Sequence, residues 1–224
     1  MAPELRSGVT NCRVGNHRGI HIFELKNKFM GKVIWKPGTM IYPLPAVMVS
    51  CGAVPEEYNI ITISWTGTIC TNPAMCYISV RPERHSYKII RNSGEYVINL
   101  TTKSLAFATD WCGVKSGSRH NKFEEMKLTP VPASIVKAPM IEESPVNIEC
   151  IVRNVIELGS HHMFISEVVA VNADEKYIDP KTGLFRLDSS TPICYSHGKY
   201  YETGDLVGKF GFSVEKKKSK KDKK

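Results

Sequence analysis

The feature that most narrows the fold is a long alternating stretch in the second half of the chain. From Asn147 to Leu158 (NIECIVRNVIEL), Ile148, Cys150 and Val152 alternate with Glu149 and Arg153, the period-two pattern of a strand with one buried face. Gly159 turns the chain and Met163–Val171 (MFISEVVAV) returns, which reads as a β-hairpin. Shorter runs of the same kind precede it. Ala46–Cys51 (AVMVSC) is continuously apolar, as in a buried strand. Asn59–Trp65 (NIITISW) is rich in β-branched residues, Met75–Val80 (MCYISV) follows an Asn72-Pro73 turn, and Glu95–Leu100 (EYVINL) and Pro192–Tyr195 complete the set. Two segments change period. Arg84–Asn92 spaces Tyr87 and Ile90 as on a helix that stops at Ser93-Gly94, and Lys103–Trp111 reads as a helix ending at Gly113. Many short strands with inserted helices predict a β-dominated barrel and not alternating βαβ units.

Length and charge bound the rest. The 224 residues, 42% of them hydrophobic, suffice for one substantial core. The net charge is +8, but Glu215–Lys224 holds seven Lys against Glu215 and Asp222, so +5 of it belongs to the last ten residues. That run is expected to be a solvated, disordered tail. Residues 1–40 are mixed and poorly periodic, with a short strand or lid expected at Phe29–Trp35, so the main domain is placed at 41–214. No secretory leader and no apolar stretch of about 20 residues is present, which predicts a cytoplasmic protein without membrane contact. The seven Cys lie far apart with no Cys-x-x-Cys, so free thiols and no metal site are expected. No G-x-G-x-x-G follows a strand, and no phosphate-binding P-loop or standard nucleic-acid module occurs.

Four segments carry candidate chemistry, and each also has a plain structural reading. Asn59, Thr62, Ser64, Trp65 and Gly67 stand as N-x-x-T-x-S-W-x-G, with Thr66 inside it. Thr62 and Ser64 share a face if the strand continues, offering hydroxyls, an amide and a large aromatic to a planar ligand. A Thr/Ser-rich edge strand beside a core Trp is the alternative. Ser79, Arg81, Arg84 and Ser86 lie where a strand turns into a helix, a place suited to phosphate; the alternative is an N-capping Ser with solvated Arg. Ser116 and Gly117 form a small turn leading to Lys122, which reads as an anion site or a charged loop. His161 and His162 sit at the hairpin tip, where successive strand residues face opposite ways, so one His beside a cofactor is favoured over a shared metal, and a surface His is the alternative.

Taken in order, these segments resemble the flavin reductase-like, FMN-binding split-barrel family, and within it the flavoredoxins. The likeness runs over residues 43–212 and rests on NIITISWTG at 59–67, ISVR at 78–81 with Arg84-x-Ser86, EYVINL at 95–100, Ser116-Gly117 with Lys122-Phe123, NIEC at 147–150 and ELG at 157–159. It implies a Greek-key antiparallel split barrel working as a homodimer, with one non-covalent FMN near the subunit boundary. By that resemblance Asn59, Thr62, Ser64 and Trp65 meet the ring and ribityl chain, helped by main-chain and hydroxyl groups through Thr66. Ser86, with Arg84 or Arg81, holds the phosphate, and Lys122 sits on the flavin or its phosphate. His161 matches a hairpin-tip His of some relatives, and Ser86 stands where the family often has Thr.

The resemblance implies an oxidoreductase that takes electrons from NAD(P)H or a reduced protein donor through FMN to an acceptor. The ring performs the chemistry, so no catalytic side chain is named. An electron carrier without NAD(P)H activity and a non-catalytic FMN-binding protein are the alternatives. A redox-protein partner fits the second; a nucleic-acid partner is disfavoured.

Overall fold

The computed structural model describes residues 31–215. Residues 1–40 and 41–224 are separate units. The described part of the first, 31–40, carries neither helix nor strand. Residues 29–30 of the expected strand or lid, and the Lys run from 216 onward, lie outside the described residues.

The second unit opens with β1 (Leu44–Pro45), β2 (Val47–Cys51), β3 (Asn59–Ile63), β4 (Thr66–Cys70) and β5 (Met75–Val80). Helix α1 (His85–Ser93) and β6 (Glu95–Leu100) follow, then α2 (Ala106–Val114) and α3 (Lys122–Met126). Two-residue strands β7 (Pro130–Val131) and β8 (Met140–Ile141) precede the long hairpin β9 (Val146–Leu158) and β10 (His161–Ala173). The last strands are β11 (Ile193–Ser196) and β12 (Lys199–Glu202), followed by a 3-10 turn at Phe212–Val214.

Seven strands form one antiparallel sheet in the order β3-β2-β6-β9-β10-β5-β4. Its two edges, β3 and β4, are consecutive in the chain and joined by only Ser64 and Trp65. Laid flat, seven strands would set those edges about 29 Å apart. A two-residue link reaches about 11 Å between flanking Cα atoms. The sheet must therefore curl until its edges nearly meet, which makes a barrel with an open seam between β3 and β4. Register irregularities in the β9–β10 pair, at Ile165/Ser166 and Val168/Ala170, add the local bend that such curling needs. The β-dominated split barrel expected from the sequence is the fold observed.

The barrel interior follows from alternation. Val47, Val49 and Cys51 of β2, Ile61 and Ile63 of β3, and Cys76, Ile78 and Val80 of β5 point into one cluster with Tyr96, Ile98, Cys150 and Phe164. Helix α1 adds Tyr87 and Ile90 to it. The opposite faces of β2 and β3 are also covered: Met48 and Ile60 pack with Leu105, Ala108 and Cys112 around α2 and with Phe123 of α3. Two covered faces explain why Ala46–Cys51 is apolar without alternation. Each such buried side chain contributes about 1.5–3 kcal/mol. Outside the barrel, the buried carboxylate of Glu149 accepts from the backbone N–H groups of Ser134, Ile135 and Val136 and from Asn172 Nδ2, tying down the loop before β8. Burial raises its pKa, but those four donors outweigh burial and hold it below the ordinary value.

Several sequence expectations shift. The Asn59–Trp65 strand stops at Ile63, because Ser64 and Trp65 make the bend that crosses the seam. Thr62 and Ser64 thus do not share one strand face. The helix at 103–111 begins as a 3-10 turn (Lys103–Leu105) and runs past Gly113 to Val114. Ser86 is not the cap of α1: Arg84 occupies that position, and Gly94 closes the helix in the left-handed region at φ 69°. Strands β4 and β12 and helix α3 escaped the pattern. No helix among the described residues is long and apolar enough to cross a membrane.

Candidate functional site

Two adjoining cavities lie along the barrel seam. The smaller, about 340 Å³, opens at the start of α1. Asn59, the first residue of β3, forms part of its wall and donates from Nδ2 to Ser86 Oγ at 2.7 Å; both side chains are buried. No side chain caps α1, and while the Tyr87 N–H bonds the Arg84 carbonyl, those of His85 and Ser86 stay available to an anion. Beside Asn59, Gly117 comes so close that a Cβ there would lie 2.1 Å from Asn59 Oδ1. Only glycine allows that approach.

Lys122 closes the same wall. Only 3% of it is exposed, and its Nζ donates to the carbonyls of Ile60 at 2.6 Å and Cys112 at 2.7 Å. An ammonium has three donors, so one is left over in a residue that lines the cavity. Burial pulls its pKa down to about 8, against the opposing influence of the nearby Cys112 and Cys51 thiols. Arg84 and Lys115 add two more cations, and Glu83, ion-paired to Arg81 at 3.0 Å, is the one carboxylate on this wall.

The larger cavity, about 510 Å³, shares Ile61, Arg84 and Gly113 with the smaller. On the barrel side it is bounded by the Ser64-Trp65 bend and by the end of β5. Trp65 lies near-parallel to His161, with centroids 6.0 Å apart and planes at 16°. Burial and the Arg81 guanidinium hold His161 below the usual histidine value. The opposite wall comes from α2 and the β11–β12 hairpin. Asp110, Gly113 and Val114, spaced i, i+3, i+4, share one helical face. A Cβ on Gly113 would press to 3.2 Å on Thr62 Cβ. Tyr195 and Tyr200, edge-to-face at 5.8 Å, complete the wall with Gly198. Burial, then the neighbouring Asp110 carboxylate, pushes the Tyr200 phenol up to about 12.

The residues singled out from the sequence divide between these cavities. Asn59, Ser86, Ser116, Gly117 and Lys122 line the smaller; Thr62, Ser64, Trp65, Ser79, Arg81 and His161 line the larger; Arg84 lines both. Two do not join them. Thr66 starts β4, where its hydroxyl donates to Tyr77 O at 2.6 Å, and Gly67 lies under the Tyr77 ring. Thr62 reaches the cavity wall, but its hydroxyl is spent on the Thr109 carbonyl. His161 and His162 face apart: His162 Nδ1 meets the Tyr87 hydroxyl at 2.8 Å. Sequence reasoning missed Lys115, Asp110, Tyr195 and Tyr200. A tyrosine-rich stretch at 195–201 was the only signal for the last two, and it has no fixed spacing to any other site residue.

This arrangement pairs an anion pocket with an aromatic, partly polar slot. Comparison with known proteins agrees with it. Residues 39–204 match the model of the flavin reductase like domain. An uncharacterised protein of Archaeoglobus fulgidus is 30% identical over 141 residues, 63% of this chain and 78% of that protein. The flavoredoxin of Desulfovibrio vulgaris (Miyazaki F) superposes with a TM-score of 0.76 at 28% identity, covering 82% of this chain and all of that one. The flavoredoxin of Methanosarcina acetivorans gives 0.73 at 24%, covering 82% and 99%. With the matched domain taking up most of the chain, this protein belongs to the flavin reductase-like family.

Proposed function

We propose that the joined cavities hold one FMN non-covalently and that the chain is an oxidoreductase passing electrons through it from NAD(P)H or a reduced protein donor. The observation that carries this is the continuity of a cationic cavity with an aromatic one through Ile61, Arg84 and Gly113. That is the polarity of a phosphate tethered to a planar ring. The residues fit the group. Gly117 lets the backbone close on the Asn59 amide, Lys122 has two acceptors for its three donors among the described residues, and the start of α1 has no side-chain cap. A flavoredoxin among the structural neighbours, and an FMN-binding protein of Thermus thermophilus that shares the fold, support the choice of FMN.

When bound, FMN supplies a ring that accepts and returns electrons, the part of the chemistry that no side chain here provides. Arg84, Lys122 and the first turn of α1 bind the phosphate; Asn59 and Ser86 fix that wall by bonding each other. Trp65 and His161 give the ring an apolar face, and Ser64 and Ser79 lie where they can serve its polar edge. We place the protein in the cytoplasm as a homodimer. A carrier exchanging electrons only with another protein is the second reading, favoured by the flavoredoxin likeness.

The test is the absorbance spectrum of pure protein, before and after anaerobic NADH or NADPH. Rapid bleaching supports the NAD(P)H-dependent enzyme. Bleaching only by a reduced protein carrier supports the second reading. Colourless protein that takes up no micromolar FMN rejects both.

A further inference from the structure

The larger cavity carries one feature that binding an anion does not explain. Asp110 lines it, on the same helical face as Gly113 and Val114, and forms no ion pair among the described residues. It does not line the smaller cavity, where the cations gather. The charged side chains facing the larger cavity are Arg81, Arg84 and Asp110, with His161 neutral near pH 7. Arg81 is already engaged by Glu83. Asp110 instead neighbours Tyr200, whose phenol remains protonated throughout the neutral range and adds no second negative charge to this wall. A carboxylate on the wall of a ring cavity interacts little with a neutral ring and unfavourably with a negatively charged one.

We propose that Asp110 makes the cavity discriminate between the two redox states of its flavin, weakening the hold on reduced FMN and so lowering the midpoint potential of the bound cofactor. This rests on the FMN reading above. Oxidised flavin has a neutral ring, whereas reduced flavin gains negative charge, so a fixed carboxylate acts on one state and spares the other. The ratio of the two affinities and the shift in potential are the same quantity by linkage. Glu83 sets the contrast: it lines the phosphate cavity, and the phosphate is charged in both redox states, so Glu83 changes both affinities together.

The experiment uses the FMN-loaded full chain. The Kd for oxidised FMN is measured by fluorescence quenching, and the midpoint potential by equilibration with a redox dye. For Asp110→Asn we expect an oxidised-FMN Kd within about threefold of wild type and reduced FMN held at least tenfold more tightly, a rise of about 30 mV for a two-electron couple. Added salt shrinks the difference between the two proteins, because Asp110 is exposed. Glu83→Gln changes both affinities alike and leaves the potential in place. The proposal is overturned if Asp110→Asn binds FMN normally and its reduced-to-oxidised affinity ratio moves by less than threefold. It is also overturned if Tyr200→Phe, which keeps the carboxylate, raises the potential as much as Asp110→Asn does. Wild-type protein that binds no FMN rejects the underlying function instead, a separate result.

Discussion

The two cavities are built on opposite plans. The smaller is made of groups that hold one another: Asn59 on Ser86, Lys122 on two backbone carbonyls, and Gly117 against the Asn59 amide. Asn59, Ser86 and Lys122 are buried and leave little freedom to lose on binding. The larger is made where elements end or meet, from the Ser64-Trp65 bend, the β10 start, one face of α2 and the β11–β12 hairpin. Its groups range from the buried Ser64 to the exposed Trp65 and Asp110, with aromatic contacts between Trp65 and His161 and between Tyr195 and Tyr200. The comparison teaches a division of labour. On the FMN reading proposed above, the pre-organised cationic pocket is expected to supply affinity, and the more open aromatic slot access to the ring.

The largest test of that division is Lys122. Lys122→Met removes a charge-assisted contact worth about 1.5–3 kcal/mol, so the FMN Kd is expected to rise about 100-fold in a fluorescence titration. It also strips a donor from the Ile60 and Cys112 carbonyls, so thermal unfolding should reveal a loss of about 1–3 kcal/mol. Gly117→Ala comes next. Its Cβ must displace the bonded Asn59 amide, and we expect about a tenfold weaker Kd with a stability loss of about 1–2 kcal/mol. If either variant binds FMN as wild type does, the smaller cavity is not the anchor.

The pH dependence sharpens the same point with two opposite signs. Burial sets the Lys122 pKa near 8 in the free protein, against about 10.4 in the unfolded chain. Above pH 8 the folded state loses this proton first, so the phosphate loses a cation and FMN affinity falls. We expect about a tenfold drop from pH 7 to 9.5, absent in Lys122→Met. Between pH 8 and about 10.4 the unfolded chain binds more protons than the folded one, so the ligand-free protein gains stability as pH rises. Denaturant melts across that window check the sign.

The smaller cavity was also the more legible of the two. Its members lie in local motifs, Arg84-x-Ser86 and Ser116-Gly117 ahead of Lys122, whose polar types already suggest an anion. The long hairpin, β5 and β6 were readable because alternation and β-branched residues betray half-buried strands. Strand β4, Thr66–Cys70, was not: TGTIC has a glycine and one large apolar residue, and its pairing with β5 is a tertiary fact. The five-residue α3 is too short for a periodic signal. The larger cavity draws Thr62, Asp110, His161 and Tyr200 from separate regions of the chain, and only closure of the barrel brings them together. The same closure explains the misplaced Ser64. A local pattern extends the strand through it, while the seam requires a bend there.

The smallest expected effect probes the aromatic wall. His161 lies near-parallel to Trp65 and is held neutral at pH 7 by burial and by Arg81. It therefore brings ring contact and no charge to the larger cavity. Such contact is worth about 0.5–1.5 kcal/mol, so His161→Ala should weaken FMN binding only about two- to tenfold. Because the histidine pKa is lowered, its proton arrives only below the ordinary range. The ratio of Kd values for wild type and His161→Ala should then hold at pH 7 and above and change only as the buffer is made acidic. A His161→Ala penalty exceeding that of Lys122→Met would reverse the assignment, placing the anchor in the aromatic slot and leaving the cationic pocket as its accessory.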